Sequence, residues 1–522
     1  MLVFIPSAGT GSRLDHYTKY INKTLLPAGK LPILSHIIEF YPPKTEFLIA
    51  VGYKGDQIKN FIKIFYPKRK INFVEIKNYS GSGSSLTHTI KISLSKINSE
   101  FIFHANDSIL KDKIKLNFKQ DTMFVSKKYL GSKDYRSVNL NNLSEVIKIN
   151  NKNDKLQNTY LYNYTGICYI KNYKLFKKII NLYDNDLAEL NYFTNNPLKE
   201  KIKSKKVKNW YDFGNLNSRI DTLDKISDFN NLNKYDEAIF FKSNQVFKFY
   251  TNNQTIKEKI YRAKKLNGFV PKIQKYNKYF FQYQYIKGRV LCSKDLNRLA
   301  FMDLLNFLKN NFWIKKSLTK INIKKFKKEC NKFYFDKTVE RINLFFAKTK
   351  LKDNKNIINK KNYEKIFTIL KKVRWKEINN GIASNFHGDL HFENIVSHNK
   401  KYTLIDWRHN FGQILDYGDI YYDFAKIYHA LIINHSLIRK EYFKISIKKN
   451  KINYDFKKYP NNKLLISIFE NFLITNGYSV EKTKTITALI FLNIAPLHDG
   501  NYSYLLFFLG KKMLNDIIKN YE

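Results

Sequence analysis

The chain has 522 residues, with 92 Lys+Arg against 44 Asp+Glu and a formal net charge of +48. Hydrophobic content of 43% and aromatic content of 16% exclude a disordered chain, and the length exceeds one ordinary core, so two to four domains are expected. Cys168, Cys292 and Cys330 are too few, too scattered and too odd in number for a disulfide framework or a zinc spacing, which predicts a reduced, cytoplasmic setting.

Residues 1–110 alternate short apolar strands with helical stretches. LVFIP (2–6) reads as a strand leading into a Gly-rich turn, and ILSHIIEFY (33–41) has helical spacing. EFLIAVGY (46–53), INFVEI (71–76) and EFIFHAND (100–107) read as strands, with helices predicted at GDQIKNFIKIF (55–65) and SLTHTIKISLSKI (85–97). Such alternation makes right-handed crossovers and predicts a mainly parallel sheet covered on both faces. Residues 111–225 mix strands and helices less regularly. The polar SDFNNLNKYD (227–236) suggests a domain boundary, set at 228/229. EAIFFKSNQVFKFY (237–250) reads as a hairpin turning at Ser243-Asn244, followed by a Lys-rich helix and a strand in KYFFQYQYI (278–286). From about 295 to 380 helical periodicity dominates, and a helical region closes the chain.

In LVFIPSAGTGSRL the loop Gly9-x-Gly11 directly follows the first strand, where bare backbone can approach a phosphate and its N–H groups can cradle an anion. A dinucleotide fingerprint would need a third glycine and a later acidic residue. Instead Arg13 and Lys23 follow, cations suited to a triphosphate whose pyrophosphate must leave. GTGSRL together with NKTLLPAGKLPIL (22–34) resembles the sugar-phosphate and choline-phosphate nucleotidyltransferases. The resemblance implies nucleotide contacts from Ala8, Gly9, Gly11 and Ser12, and from Gly81, Gly83 and Ser84 in NYSGSGSSL (78–86). It implies Mg²⁺ ligands at Asp107, on the carboxyl end of a strand, and at Asp212 in NWYDFGNL (209–216), with Arg13 and Lys23 catalytic. Gly166 in YTGICYI (164–170) would lie on the strand lining the acceptor pocket. There are departures from the family pattern. Asn22 precedes Lys23 where the family has proline, Lys30 is displaced by one position, and VIKINNKND (146–154) lacks a Glu-Lys-Pro.

Phosphoryl transfer requires Mg²⁺ on the phosphates, an attacking hydroxyl in line, and a group to take its proton. In HGDLHFEN (387–394), Asp389 and Asn394 are five residues apart in a loop, so one can face the hydroxyl and the other the metal. NIVSH (394–398) and YTLID (402–406) read as two strands, and an antiparallel hairpin folds Asp406 back beside Asn394. Two oxygen ligands can then share one hard cation. This pattern resembles the aminoglycoside phosphotransferase and choline kinase family, a branch of the protein-kinase-like fold. By that resemblance Asp389 is the catalytic base, Asn394 and Asp406 bind magnesium, and His387 is structural. Lys248 in VFKFY would be the phosphate-binding lysine, Glu258 its partner, and Gln284 and Ile286 in FQYQYIKG (281–288) the hinge meeting adenine. Asp423 in YGDIYYDFAKI (417–427) would support the fold.

The expected architecture is α/β: a doubly wound, Rossmann-like (GT-A-like) nucleotidyltransferase domain over 1–228, and a protein-kinase-like α+β domain over 229–522 with its N-lobe at about 236–290. The expected chemistry is phosphorylation of a small alcohol by ATP, then transfer of a nucleotidyl group from CTP or another NTP to the ester. The product would be an activated precursor for capsule polysaccharide or head-group synthesis. A sugar kinase paired with a sugar-1-phosphate nucleotidyltransferase is the alternative. A choline-type substrate would want an aromatic cage, for which Trp407, Tyr421 and Tyr422 lie near the kinase motif. The excess charge is scattered along a Lys-, Asn- and Ile-rich chain, as AT-rich codons would produce, so no specific nucleic-acid surface is expected; a basic nucleic-acid-binding protein or a scaffold is the non-enzymatic alternative. No basic leader precedes MLVFIPSAG, and no run approaches the 18 apolar residues of a membrane span, which predicts a soluble protein.

Overall fold

The computed structural model describes residues 1–126, 135–152, 161–185, 187–196, 201–219, 236–399 and 401–520. The chain divides into two compact units, residues 1–253 with 274–283, and residues 254–273 with 284–522. Among the described residues no helix is long and apolar enough to cross a membrane.

The first unit is built on β1 (Leu2–Ser7), β2 (Glu46–Val51), β3 (Ile71–Glu75) and β4 (Phe101–His104), which pair in parallel in the order β4-β1-β2-β3. Successive residues of β1 serve opposite faces of the sheet. Val3 and Ile5 join one buried cluster with helices α1 (Ile33–Phe40) and α2 (Gly55–Phe65), whereas Phe4 joins a second with α3 (Leu86–Ser93). The sequence of α2 shows why it forms. Ile58, Phe61, Ile62 and Phe65 recur on one face, and Asp56 sits in the first turn against the helix dipole.

The sheet is mixed rather than mainly parallel. The irregular stretch after residue 111 supplies a short β5 (Ser108–Leu110), which stands outside this sheet, and then β6 (Thr122–Ser126), β7 (Ser137–Leu140), β8 (Val146–Asn150), β9 (Leu161–Ile170) and β10 (Lys203–Val207). β9 pairs antiparallel with β4, β6 and β7, while β10 runs parallel to β6. The long β9 slips register between Tyr164 and Cys168, around Gly166 at φ 76°. A Cβ there would lie 2.8 Å from that of Ala105, whose N–H donates to the Gly166 carbonyl at 2.9 Å. Glycine at 166 therefore lets β9 press against the turn that carries Asp107.

The expected boundary at 228/229 lies outside the described residues, and the strands after it do not follow the expected division. β11 (Trp210–Asp212) precedes a hairpin of β12 (Glu237–Lys242) and β13 (Gln245–Tyr250), with Ser243 at φ 46° and Asn244 at φ 60°. Positive φ at both turn residues is the geometry that matches strand twist in a two-residue hairpin. With β14 (Ile273–Tyr276) and β15 (Phe280–Gln284) these strands form a sheet ordered β12-β13-β15-β14. Apart from the end residues Ile273 and Gln284, that sheet belongs to the first unit rather than to the second as predicted. The reason is its phenylalanine face. Phe247 stacks on Phe65 of α2 at 3.8 Å between ring centres, and Phe280 lies 5.9 Å from Phe61.

The second unit holds α4 (Asn253–Lys265) apart from its first residue, β16 (Arg289–Val290), helices α5 (Arg298–Phe307), α6 (Lys320–Asn331) and α7 (Lys337–Thr349), and a small sheet. The 295–380 stretch is not purely helical. It contains β17 (Asn356–Ile358) and β18 (Lys361–Tyr363), joined through Asn359 and Lys360 at positive φ. β19 (Ile395–His398) and β20 (Lys401–Leu404) form the expected hairpin, with Ile395 opposite Leu404. Next comes α8 (Ile420–Ile432), capped by Asp419 and buried on every face from Ile420 to Leu431. Such all-round burial marks the central helix of a core. β21 (Phe443–Lys448) and β22 (Lys451–Phe456) join β17 and β18, and α9 (Asn462–Thr475), α10 (Val480–Ile494) and α11 (Gly500–Lys519) complete the unit.

Candidate active sites

The first unit gathers its predicted residues beyond the carboxyl ends of β1 and β4. Ala8 is buried, and its carbonyl accepts the Tyr53 N–H at 2.8 Å. Gly11 sits at φ 71°, where a Cβ would come within 3.0 Å of Thr18 and 3.2 Å of Lys23, so the loop can close over Lys23 only with glycine there. Gly9 is different. Among the described residues nothing lies within 4 Å of a Cβ built on it, so their packing does not demand glycine there. Ser12 and Arg13 stand exposed in the following turn. In the loop at 78–84, Gly81 and Gly83 take φ 83° and 77°, and the Ser84 hydroxyl donates to the Gly81 carbonyl at 2.7 Å.

Asn22, where the resembled family has proline, holds Lys23 by a different device. Its side chain accepts from Thr24 N–H at 2.9 Å and donates to the Tyr53 carbonyl at 2.7 Å, while its own N–H donates to Gln57 Oε1 at 2.8 Å. Lys23, itself buried, then donates to Asp107 Oδ2 at 2.5 Å. β11 pairs antiparallel with β5, which sets Asp212 opposite Ser108, and the Phe213 N–H donates to the Asp107 carbonyl at 2.9 Å. A Cβ on Gly214 would lie 3.1 Å from Asp212 Oδ1 and 3.2 Å from Asp107 Oδ2, so two carboxylates separated by 105 positions converge on one small volume. Burial disfavours charge on both. At Asp107 the Lys23 ammonium, with help from Arg13, outweighs it and holds the carboxyl below its usual range. At Asp212 burial and the charge of Asp107 both push the pKa up. Two oxygen-donor carboxylates sharing one ammonium are a donor set suited to a hard divalent cation such as Mg²⁺.

Motif reading missed His104, a fully buried imidazole at the end of β4. Its Nε2 donates to the Ser108 carbonyl at 2.9 Å, and its Nδ1 accepts from the Tyr41 hydroxyl at 2.7 Å, pinning both sides of the Asp107 turn. Burial pushes its pKa down from 6.5 to about 4. A base depressed in the fold contributes stability above its unfolded pKa, and that contribution is lost as pH falls towards the folded value. Wild type should therefore be more stable than His104→Gln at pH 7, with the gap narrowing by about 2 kcal/mol by pH 5. Denaturant melts of the two proteins across that range check this; a constant gap would refute it.

In the second unit, His387 is fully buried, with Nε2 bonded to the Ile405 carbonyl at 2.9 Å, and burial pushes its pKa down to about 3. Asp423 on α8 accepts the N–H groups of His387 at 2.8 Å and Gly388 at 2.7 Å, and Trp313 Nε1 at 3.2 Å. Asp389 follows, its carboxylate 36% exposed and its Oδ1 2.7 Å from Lys426 Nζ, also on α8. Asn394 donates through Nδ2 to the Asp389 carbonyl at 2.9 Å, which leaves its Oδ1 as the oxygen available to a cation. The hairpin closes with the Ile405 N–H donating to the Asn394 carbonyl at 2.8 Å, and Asp406 comes next at φ 61°. That left-handed conformation costs an L-residue on the order of 1–3 kcal/mol and is found where surrounding structure enforces it, often at functional sites. Asp406 and Asn394 together are again oxygen donors that fit Mg²⁺.

Lys426 was not read as functional, although it lies three residues after Asp423 and hence on the same helical face. Lys259 was also missed. It is on the buried face of α4 with Ile256 and Ile260, and its Nζ lies 3.7 Å from Asp406 Oδ1. The neighbouring Glu258 instead accepts from Asn410 Nδ2 at 2.8 Å and from Gln254 at 3.0 Å. Lys248 is buried within β13, opposite Ile239, in the first unit. Gln284 ends β15 exposed, and Ile286 is half-buried in the segment leading to β16, which pairs with β19. The aromatic trio is occupied by packing. Trp407 is 1% exposed and donates to the Lys259 carbonyl, Tyr421 accepts the Ser479 N–H, and Tyr422 packs on Phe333.

No family model matches the chain. It is 25% identical over 205 residues to the bifunctional protein GlmU of Methanococcus vannielii, across 38% of this chain and 47% of that protein. It thus spans about half the length of that relative. A second relative is the D-glycero-alpha-D-manno-heptose 1-phosphate guanylyltransferase of Campylobacter jejuni, 27% identical over 160 residues, or 30% of this chain and 71% of that one. The solved structure of CTP:phosphocholine cytidylyltransferase from Streptococcus pneumoniae is 16% identical and covers 43% of this chain and 98% of its own, at a TM-score of 0.35. The curated relatives support a nucleotidyltransferase-like domain in the N-terminal part of the chain; a kinase-like C-terminal domain is not shown by them.

Proposed function

We propose that the chain is a bifunctional enzyme that phosphorylates a small alcohol with ATP and then joins the phosphate ester to a nucleotidyl group, releasing pyrophosphate. The observation that carries the reading is the convergence of Asp107 and Asp212 at Gly214, beside the buried Lys23. Asp107 and Asp212 would hold magnesium, whose positive charge would offset the repulsion of the α-phosphate and the incoming ester. An ester oxygen attacks the α-phosphorus, the bond to the β-phosphate breaks, and Lys23 and Arg13 neutralise the departing pyrophosphate. Among the described residues, Gly9 leaves room for the phosphates at the end of β1.

In the second unit Asp389 takes the proton of the attacking alcohol as its oxygen bonds to the γ-phosphorus and the nucleoside diphosphate leaves. Lys426 holds the carboxylate in place, and Asp423 fixes the loop through two backbone N–H groups. Asn394 and Asp406 would hold the cation. This half rests on residues of the second unit alone.

A sugar or polyol acceptor is favoured over choline by one observation: Trp407, Tyr421 and Tyr422 are committed to packing and offer no cage. The heptose 1-phosphate specificity in the name of the second relative points the same way. Such products feed surface polysaccharide assembly. The test is a panel of hexoses, polyols, ethanolamine and choline with MgATP, followed by each MgNTP and mass spectrometry. A phosphate ester and then its nucleotide-linked form are expected. Failure of every ester and NTP pair to yield a nucleotide-linked product would overturn the reading.

A further inference from the structure

One cluster of side chains in the second unit is used by neither reaction. His391 and Glu393, in the loop that carries Asp389, and His435, just after α8, each bring a ligand atom to within 4.8 Å of the others. The His391 and His435 ring centres are 5.2 Å apart, and His435 Nδ1 is 3.8 Å from Glu393 Oε2. Behind them lies His429 of α8, 1% exposed, its ring centre 5.5 Å from that of His435. Among the described residues neither of its ring nitrogens has a hydrogen-bond partner, and neither has the buried Nδ1 of His391. A buried polar atom left without a partner is destabilising. Several together beside a half-open cluster of ligand atoms call for an occupant.

We infer that His391, Glu393 and His435 form a binding site for a divalent transition-metal ion of the zinc class, distinct from the oxygen-donor positions proposed for magnesium. Two imidazoles and a carboxylate suit zinc, whereas magnesium prefers oxygen alone. Glu393 is half-buried, its side chain 28% exposed. Arg439 grips both its oxygens, at 3.1 and 2.8 Å. Arg439 therefore competes with the ion, and being 44% exposed it can withdraw to solvent. An ion on His391 Nδ1 moves the ring proton to Nε2, 3.8 Å from Asp389 Oδ2, the carboxylate–imidazole–metal order of many sites. The same nitrogen then ceases to accept from Asn394 Nδ2, now 3.1 Å away, so occupancy is felt in the loop of Asp389.

The test needs no enzymatic activity. Chelator-treated full-length protein is titrated with Co²⁺, read by visible absorption, and with Zn²⁺ in competition with a chromophoric chelator. A single equivalent should bind and survive excess Mg²⁺. His435→Ala, at a half-buried position, should weaken it by more than about 100-fold without lowering the melting temperature. Arg439→Gln should tighten it, because the competing cation is gone. Absence of saturable binding, or equal affinity in wild type, His435→Ala and Glu393→Gln, would overturn the inference by assigning any bound ion to other histidines.

Discussion

Asp389→Asn is expected to lower ATP-dependent ester formation by about 10²–10⁴-fold, the usual contribution of a positioned general base, while nucleotidyl transfer from supplied ester stays at the wild-type rate. The substitution keeps the shape of the side chain and the Asn394 bond to the main-chain carbonyl of residue 389. What it removes is the proton acceptor, and with it the counter-ion of Lys426. Burial alone would lower the pKa of that lysine; the charge of Asp389 reverses this and raises it. Neutralising the aspartate strands an ammonium inside α8, so some stability must also be lost. The loss should be less than the roughly 3–5 kcal/mol of a fully buried pair, since Asp389 is 36% exposed. A second variant separates the two effects. Asp389→Asn combined with Lys426→Met should recover stability and remain inactive, a coupling that a double-mutant cycle reads directly. Ester formation at the wild-type rate in folded Asp389→Asn would remove Asp389 from the chemistry.

Those two residues also show what sequence reading reaches and where it stops. The hairpin that returns Asp406 towards Asn394 was legible because its two apolar strands and short turn fix the geometry locally, and β19 and β20 follow that geometry. Lys426 was hidden. It comes from a helix 37 positions after Asp389, and a lysine in a chain with 92 Lys+Arg carries no signal by type. Only its spacing from Asp423 could have exposed it. Lys259 and Glu258 make the same point from the other side. The apolar period of α4 buries position 259 and sets Lys259 beside Asp406, while the neighbouring Glu258, the residue that its charge made visible, accepts from Asn410. In the first unit the strands of 1–104 were readable from their apolar runs. The antiparallel additions were not, because their pairing depends on a register slip at Gly166. The hairpin at 237–250 was legible as a hairpin. Its membership in the first unit was not, since it depends on Phe65 and Phe247 finding each other across the fold.

The paired carboxylates of the first unit should respond unequally in stability and equally in activity. Asp107→Asn and Asp212→Asn are each expected to cut nucleotidyl transfer by at least about 10²–10³-fold, the scale of losing one preorganised electrostatic contact, with ester formation from ATP unchanged. Asp107 is half-buried and bonded to the buried Lys23 at 2.5 Å, so Asp107→Asn should destabilise the protein by removing the nearest counter-charge of a buried ammonium. Asp212 stands the other way round. Burial and the charge of Asp107 already disfavour its ionisation, and removing that charge relieves a repulsion. Asp212→Asn should therefore leave stability unchanged or raise it, the pattern of a group retained for chemistry at the expense of the fold. Urea melts and pyrophosphate release on the two variants decide the matter. Carboxylates kept only to hold the β5–β11 ladder would give the reverse, with both variants destabilised and nucleotidyl transfer intact in whatever remains folded.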